Sequence, residues 1–264
     1  MTAWQGARVR VAFIGKGGSG KSAIGGVFCR LLARETGKQV VAIDSDPLPG
    51  LALSLGIPSD DTPLPPDLLE KTNDGSPNAD DSWQLRDGMS AIDAVHQYAA
   101  EGPDGVRLLQ FGKLHGHVRT LAGSQQAFRV IVGGLEETDA HLVGDLPGGT
   151  RQPFFGWGDF ADVLVVVAEA TPSSMLSAKR LARVRERARG GDQTIVAVAN
   201  KAVDPSDSER LAEASGLRVI GAVPKDPAMG AAERAGRSLL DHSPDAPAVE
   251  AVRSLLATLQ GETR

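Results

Sequence analysis

Short apolar runs recur along the chain, each followed by a longer stretch in which apolar residues return every three or four positions. The runs cover residues 9–14, 40–43, 106–111, 141–143, 163–167, 195–199 and 218–222. Those reading VLVVVA and TIVAVAN are apolar at successive positions, as strands must be when crossover helices bury both their faces. The pattern therefore predicts an α/β fold, a doubly wound and mostly parallel sheet with helices on either side. Between two of the runs, LSAKRLARVRERA sets Leu176, Leu181, Val184 and Ala188 along one side of a helix, with arginines filling the rest. Towards the end, PAVEAVRSLLATLQ spaces Val249, Val252, Leu255, Leu256 and Leu259 for a helix packed on the sheet.

The alternation fails from about 56 to 105, where Pro, Asp, Ser and Asn dominate (PSDDTPLPPD, NDGSPNADDS) apart from a short helix expected around 91–99. So long a stretch without periodicity reads as an insertion, not a second core, and such insertions are commonly functional or mobile. Residues 1–264 thus read as one domain.

Composition narrows the function classes. The chain has 264 residues, 41% hydrophobic and 23% charged, enough for one large domain with a substantial core. Its 31 glycines and 16 prolines stay below the share, roughly 25 to 30%, at which low-complexity disorder is the default. A net charge of -5 excludes a surface given over to nonspecific phosphate-backbone binding and leaves only local patches for nucleic acid. The single cysteine, Cys29, can form neither an internal disulfide nor, alone, a thiolate metal site or iron–sulfur cluster. No signal-peptide core opens the sequence, and nowhere do about 18 apolar residues run together as a membrane span requires, so a cytoplasmic protein is expected.

The chemistry begins at Gly15-Lys16-Gly17-Gly18-Ser19-Gly20-Lys21-Ser22, which fits G-x-x-x-x-G-K-[ST] between a predicted strand and a predicted helix. Glycines let successive backbone N–H groups surround phosphates, and the helix N-terminus adds partial positive charge. Lys21 is placed to reach the β and γ phosphates, and the Ser22 hydroxyl can ligate Mg²⁺. Two further carboxylates, Asp44 and Asp46 of D-S-D-P, follow the second strand, where they would face the same phosphates.

The second lysine, Lys16, makes the loop a deviant Walker A motif, GKGGxGK[ST], and here the sequence resembles the MinD/ParA group of P-loop ATPases. The resemblance implies that Lys16 contacts nucleotide across a face-to-face homodimer closed by ATP, acting on developing phosphate charge as an arginine finger does. It further implies that Asp44 belongs to the Mg²⁺ shell and that Asp46 orients the attacking water. Asp145, in Asp145-Leu146-Pro147-Gly148-Gly149, would hold Mg²⁺ through water while the Gly148 amide senses the γ-phosphate. Asn200 would read adenine, since an amide offers both donor and acceptor, with Pro224, Lys225 and Asp226 in the loop beside the base. The G-protein reader NKxD is absent, because Ala202 and Val203 follow Lys201, so ATP is the expected nucleotide. Where the family often carries Asn, this chain has Gly50.

Within the group, DSDPLPGLALSLGIP, EGPDGVRLLQFGKL, FADVLVVVAEATPSSMLSAKRLARV and AVPKDPAMGAAERAGRSLLD look like CooC-type ATPases, which assist nickel insertion into carbon monoxide dehydrogenase. The C-x-C pair by which CooC-type proteins share a metal between subunits is missing: Leu121-Ala122-Gly123 stands near that position. His115 and His117 precede it, and two copies in a dimer would offer four imidazoles to a transition metal; a solvated pair is the plainer alternative. The C-terminal helix has too little positive charge for the membrane anchor of MinD-type proteins. Lys179, Arg180, Arg183, Arg185, Arg187 and Arg189 form the one basic cluster that could meet DNA as in ParA-type proteins, with a solvated helix face as the alternative. The resemblance points to an accessory or maturation ATPase with slow hydrolysis, acting on an unidentified client protein. A positioning or regulatory switch that binds DNA, a membrane partner or a polymer is the second reading, and a nucleotide sensor with negligible turnover the third.

Overall fold

The computed structural model describes residues 8–46, 50–58, 64–65, 67–72, 83–110, 118–149, 154, 156–187 and 193–259. Its centre is an eight-stranded sheet built from β1 (Arg10–Ile14), β2 (Val40–Asp44), β5 (Ala100–Glu101), β6 (Val106–Gln110), β7 (His141–Asp145), β8 (Val163–Ala168), β9 (Thr194–Ala202) and β10 (Val219–Pro224). The order is β10-β9-β8-β1-β7-β2-β6-β5, and every pairing is parallel except that of β5 with β6. All seven predicted strands are present. β5 escaped the sequence reading because two residues carry no alternation.

Each strand feeds two cores, because neighbouring side chains leave opposite faces of a sheet. Val11 and Phe13 join Val163, Val165 and Val167 on one face, covered by α1 (Lys21–Thr36), α8 (Leu239–His242) and α9 (Pro247–Leu259). Ala12 and Ile14 join Leu164 and Val166 on the other, covered by α4 (Val118–Gly134), α5 (Pro172–Arg187) and α6 (Asp207–Ser215). Phe28 of α1 meets Phe13 edge-on, ring centroids 5.4 Å apart, an arrangement that the aromatic quadrupole favours. The C-terminal helix buries Val249, Val252, Leu255, Leu256 and Leu259, as its spacing predicts.

Two expectations need correction. Of the expected stripe on α5, Leu181 is buried, Val184 is half-buried and Leu176 is 48% exposed, and Ser174, Ala178 and Ala182 are buried beside Leu181; Ala188 lies outside the described residues. The stretch 56–105, expected to be irregular, contributes to the core: β3 (Leu69–Lys71) pairs antiparallel with β4 (Trp83–Leu85), and Leu64, Leu68, Leu69 and Leu85 are buried. The expected short helix is α3 (Ala91–Tyr98), opened by a capping box in which Ser90 and Asp93 satisfy each other's backbone N–H.

His141 opens β7 fully buried, its Nδ1 accepting the Val9 N–H at 2.9 Å. Burial, and secondarily the Lys38 charge, holds its pKa at about 4. A histidine depressed in the fold gives stability that is complete above its unfolded pKa, about 6.5, and is lost as pH falls through about 4. Urea unfolding at pH 7 and pH 5 is expected to show this acid sensitivity, worth at most about 3 kcal/mol in total. His141→Asn, whose amide oxygen can accept the same N–H, is expected to flatten it; an unchanged pH slope would assign the loss to other groups.

Candidate nucleotide site

The loop between β1 and α1 sits at the carboxyl edge of the sheet where the strand order turns, since β7 and β8 flank β1 on its two sides. Such a switch point opens a crevice for a ligand. The loop is closed by a Ser19 N–H bond to the Lys16 carbonyl, 3.1 Å, and α1 begins where the Ile24 N–H reaches the Gly20 carbonyl, 3.0 Å. Gly20 has φ 95°, and a Cβ there would stand 2.2 Å from Asn200 Nδ2, so no other residue fits. Lys21 is buried, 7% exposed, and its charge reaches Asp145. Lys16 lies outside on the surface, its Nζ 3.2 Å from Ser173 Oγ in the first turn of α5.

Two carboxylates close the inner wall. Asp44 ends β2 and Asp145 ends β7, and the register sets them side by side. Both are buried. Asp44 accepts the Asp46 N–H at 3.1 Å on Oδ1 and the Gly50 and Leu51 N–H groups at 3.1 and 3.0 Å on Oδ2, which fixes the chain as it enters α2 (Leu51–Leu55). Burial pushes its carboxyl up to about 6. Asp145 accepts the Ser22 hydroxyl on Oδ2, 2.5 Å, while its buried Oδ1 has no partner among the described residues. Burial first, and then the Asp44 charge, pushes it up to about 7. Two adjacent buried carboxylates, a hydroxyl and an orphaned carboxylate oxygen form a donor set suited to a hard divalent cation, whose charge would reverse both shifts. Mg²⁺ fits these residues.

Asp46 follows at the half-buried start of the next loop. A Cβ on Gly50 would meet Ser22 Oγ at 3.1 Å, so a side chain at this position has little room here. Gly148 packs against the loop from the other side, its Cβ position 2.9 Å from the Gly17 nitrogen. The peptide after β7 therefore lies directly on the phosphate loop.

The end of β9 supplies a third wall. Asn200 is buried, its Nδ2 donating to the Ser19 carbonyl at 2.6 Å, and its Oδ1 has no partner among the described residues. Lys201 Nζ donates to the Gly18 carbonyl at 3.0 Å and pairs with Glu169 at 2.8 Å. The Lys225 N–H bonds the Ala202 carbonyl, 2.9 Å, bringing the 224–226 loop beside this end. Asp226 is committed elsewhere: its oxygens accept the Ala228 and Ala248 N–H groups, 2.8 and 3.0 Å, and thereby tie the start of α7 (Pro227–Arg234) to that of α9. Sequence reasoning saw Lys201 only as part of an incomplete NKxD and missed Glu169 and Ser173, since a Glu after a strand carries no motif.

The sequence profile of the CobQ/CobB/MinD/ParA nucleotide binding domain matches residues 11–239. The chain belongs to that family. The carbon monoxide dehydrogenase accessory protein CooC of Rhodospirillum rubrum is 30% identical over 255 residues, covering 89% of this chain and 91% of CooC. An uncharacterized ATP-binding protein of Methanocaldococcus jannaschii is 25% identical, covering 97% of this chain and 100% of its own. A ParA family ATPase from Chlorobium tepidum superposes with a TM-score of 0.73 at 18% identity, over 95% of this chain and 98% of that one. MinD from Pyrococcus horikoshii, complexed with Mg-ADP, gives 0.69 at 16% identity, over 94% of each chain. These two structures share the fold. Membership of the CobQ/CobB/MinD/ParA family makes this protein a P-loop ATPase.

Several sequence-derived candidates gain no geometry. His115, His117 and Arg189 lie outside the described residues, among which no group of three or more His, Cys, Asp and Glu gathers to hold a metal. On α5, Lys179, Arg180, Arg183 and Arg187 are exposed. Cys29 is buried in α1, where burial raises its thiol pKa far out of the reactive range. No helix among the described residues is long and apolar enough to cross a membrane.

Proposed function

We propose that this protein is an ATP-driven dimeric switch that serves as an accessory ATPase for a partner protein. The observation that carries the ATP chemistry is the buried Asp145 Oδ1, without a partner among the described residues, beside Ser22, Asp44 and Lys21, a set of groups suited to a divalent cation and, through Lys21, to phosphate. Its support for the accessory role is the likeness to CooC along nearly the whole chain.

In this reading the loop 15–20 presents backbone N–H groups to the phosphates and Lys21 lies against the β and γ oxygens. Ser22, with Asp44 and Asp145 acting through water, would hold Mg²⁺. The ion supplies charge neutralisation on the phosphates. Asp46 orients the attacking water, and the Gly148 amide, already against Gly17, reports the γ-phosphate to the chain after β7. Lys16 leaves Ser173 to reach the nucleotide of a second copy. Asn200 donates one N–H to Ser19 and its Oδ1 has no partner among the described residues, so that oxygen is free to accept from the exocyclic amine of adenine; guanine presents a carbonyl there, which the same oxygen repels. Pro224 and Lys225 lie along the base.

Asp46→Ala is expected to bind ATP as the natural chain does, to hydrolyse it about 100-fold more slowly, and to accumulate as a dimer in light scattering with ATP and Mg²⁺. A protein that stays monomeric at saturating ATP would overturn the switch. The trapped form then serves for capture from source-cell lysate, with Lys21→Ala as control. A metalloenzyme or cofactor-assembly protein held only by the trapped form supports the accessory role; DNA, membrane or polymer partners would replace it with the positioning reading.

A further inference from the structure

We propose that Lys201 is a positioning residue of the nucleotide site: it holds the outer side of the phosphate loop so that the inner side is set before nucleotide arrives. The inference rests on the ATPase reading of the site and concerns a residue to which the sequence gives no role beyond the lysine of an incomplete NKxD.

The backbone makes the case first. In β9, Asn200 pairs with Val223 and Ala202 with Pro224, while the register slips between those two partners, so Lys201 is the extra residue of a β-bulge. Its φ is 54°. The other non-glycine residues with positive φ among those described, Asp87 and Asp104, are aspartates, whose short polar side chain tolerates this region; a lysine does not gain that compensation. Unfavourable backbone that persists in a fold is held by its surroundings and clusters at functional sites, and bulges beside such sites re-aim side chains.

Here the re-aiming is visible. Consecutive residues of a regular strand point to opposite faces, yet Asn200 and Lys201 both reach the same loop. Asn200 Nδ2 holds the Ser19 carbonyl at 2.6 Å, and Lys201 Nζ the Gly18 carbonyl at 3.0 Å. A peptide unit is planar with its C=O and N–H opposed, so each carbonyl fixed outward turns the next N–H the other way. The Ser19 N–H is thereby aimed at the Lys16 carbonyl, closing the turn, and the Gly20 N–H away from Asn200. A cation on the carbonyl also polarises the peptide and strengthens its N–H as a donor.

Glu169 completes the device. It follows β8, its N–H is anchored on Ser174 Oγ at 3.0 Å, and its carboxylate meets Lys201 at 2.8 Å. Exposed Lys–Glu pairs contribute little to stability, and with side chains 44% and 30% exposed this one is no exception. What the pair supplies is direction: it leaves the ammonium one short reach to Gly18, joining the loops that follow β1, β8 and β9.

The test separates positioning from structure. Lys201→Gly removes the ammonium and relieves the left-handed backbone, whereas Lys201→Met keeps the bulge and the stem. Titration calorimetry with Mg-ADP is expected to show both variants binding about tenfold more weakly, with Lys201→Gly melting no lower than the natural chain, and Lys201→Arg recovering most of the affinity. Folded Gly and Met variants that bind within twofold of the natural chain overturn the proposal. So does an affinity loss that only tracks a lowered melting temperature. If the natural chain binds neither Mg-ADP nor Mg-ATP, the ATPase reading itself fails, an outcome distinct from the first two.

Discussion

Lys21→Ala is expected to lower ATP hydrolysis by two to three orders of magnitude, the scale on which a fixed charge at a developing anion acts. The structure explains why nothing replaces it. Among the described residues Lys21 is the cation buried in the cleft, whereas Lys16 is exposed and held by Ser173, and Lys201 is turned outward to Gly18. Removing Lys21 leaves Asp44 and Asp145 side by side without the Lys21 charge that lowers Asp145, so incoming phosphates would face two carboxylates and Mg²⁺. Binding is therefore expected to weaken along with hydrolysis, unlike the effect of Asp46→Ala, which leaves the cradle intact. Phosphate release and Mg-ATP titration measure the two losses. Hydrolysis within tenfold of the natural chain would mean that Lys21 does not touch the reacting phosphate.

The contrast between Lys21 and Lys201 shows what the sequence made legible. Lys21 stands in a motif whose spacing is dictated by the turn itself: the loop must leave a strand, turn through glycine and enter a helix, and every step is local. The strands were equally readable, because burial on both faces writes an unbroken apolar run such as VLVVVA. Lys201 was not, because its role depends on a one-residue slip between β9 and β10, a property of two strands that no window on one of them contains. Asn200 falls between. Its residue type suggested an adenine reader, but that half of its amide is committed to Ser19 follows only from the packing.

The stretch 56–105 failed for a related reason. Leu64, Leu68, Leu69 and Leu85 are buried, yet they belong to pieces too short for a period to show and are separated by polar residues with no common spacing. Their burial is decided by α4, which packs over β4 and offers Phe128 and Ile131 to the same core. In α1 the difficulty runs the other way. An arginine in a helix ordinarily marks the solvent face, and Arg30 occupies one of the most buried positions of the chain.

That residue carries the largest expected effect on stability. Arg30 is 2% exposed; its Nε meets Asp104 at 2.7 Å, its Nη1 and Nη2 grip Asp241 at 2.7 and 2.9 Å, and Nη1 also reaches Ser238 Oγ at 2.7 Å. One guanidinium thus ties α1 to the turn before β6 and to the start of α8. Arg30→Met keeps much of the volume and removes the charge, and breaking a buried ion pair in this way costs about 3 to 5 kcal/mol. The lower end is expected, because Asp104 and Asp241 are 20% and 36% exposed and can regain water. A melting temperature lower by on the order of 10 °C follows. The pair also has a pH signature. Its hydrogen bonds to Arg30 hold Asp241 down at about 2, so this stability is present above the ordinary carboxylate range and is lost as pH falls through about 2. Natural and variant chains are therefore expected to differ fully at pH 5 and to converge under strong acid. Adding Asp241→Asn to Arg30→Met should restore part of the loss, since that carboxylate loses its ion-pair partner whereas Asp104 keeps Arg34 at 2.9 Å. A single Arg30→Met loss below about 1 kcal/mol in urea, the scale of an exposed ion pair, would show that water already reaches this network.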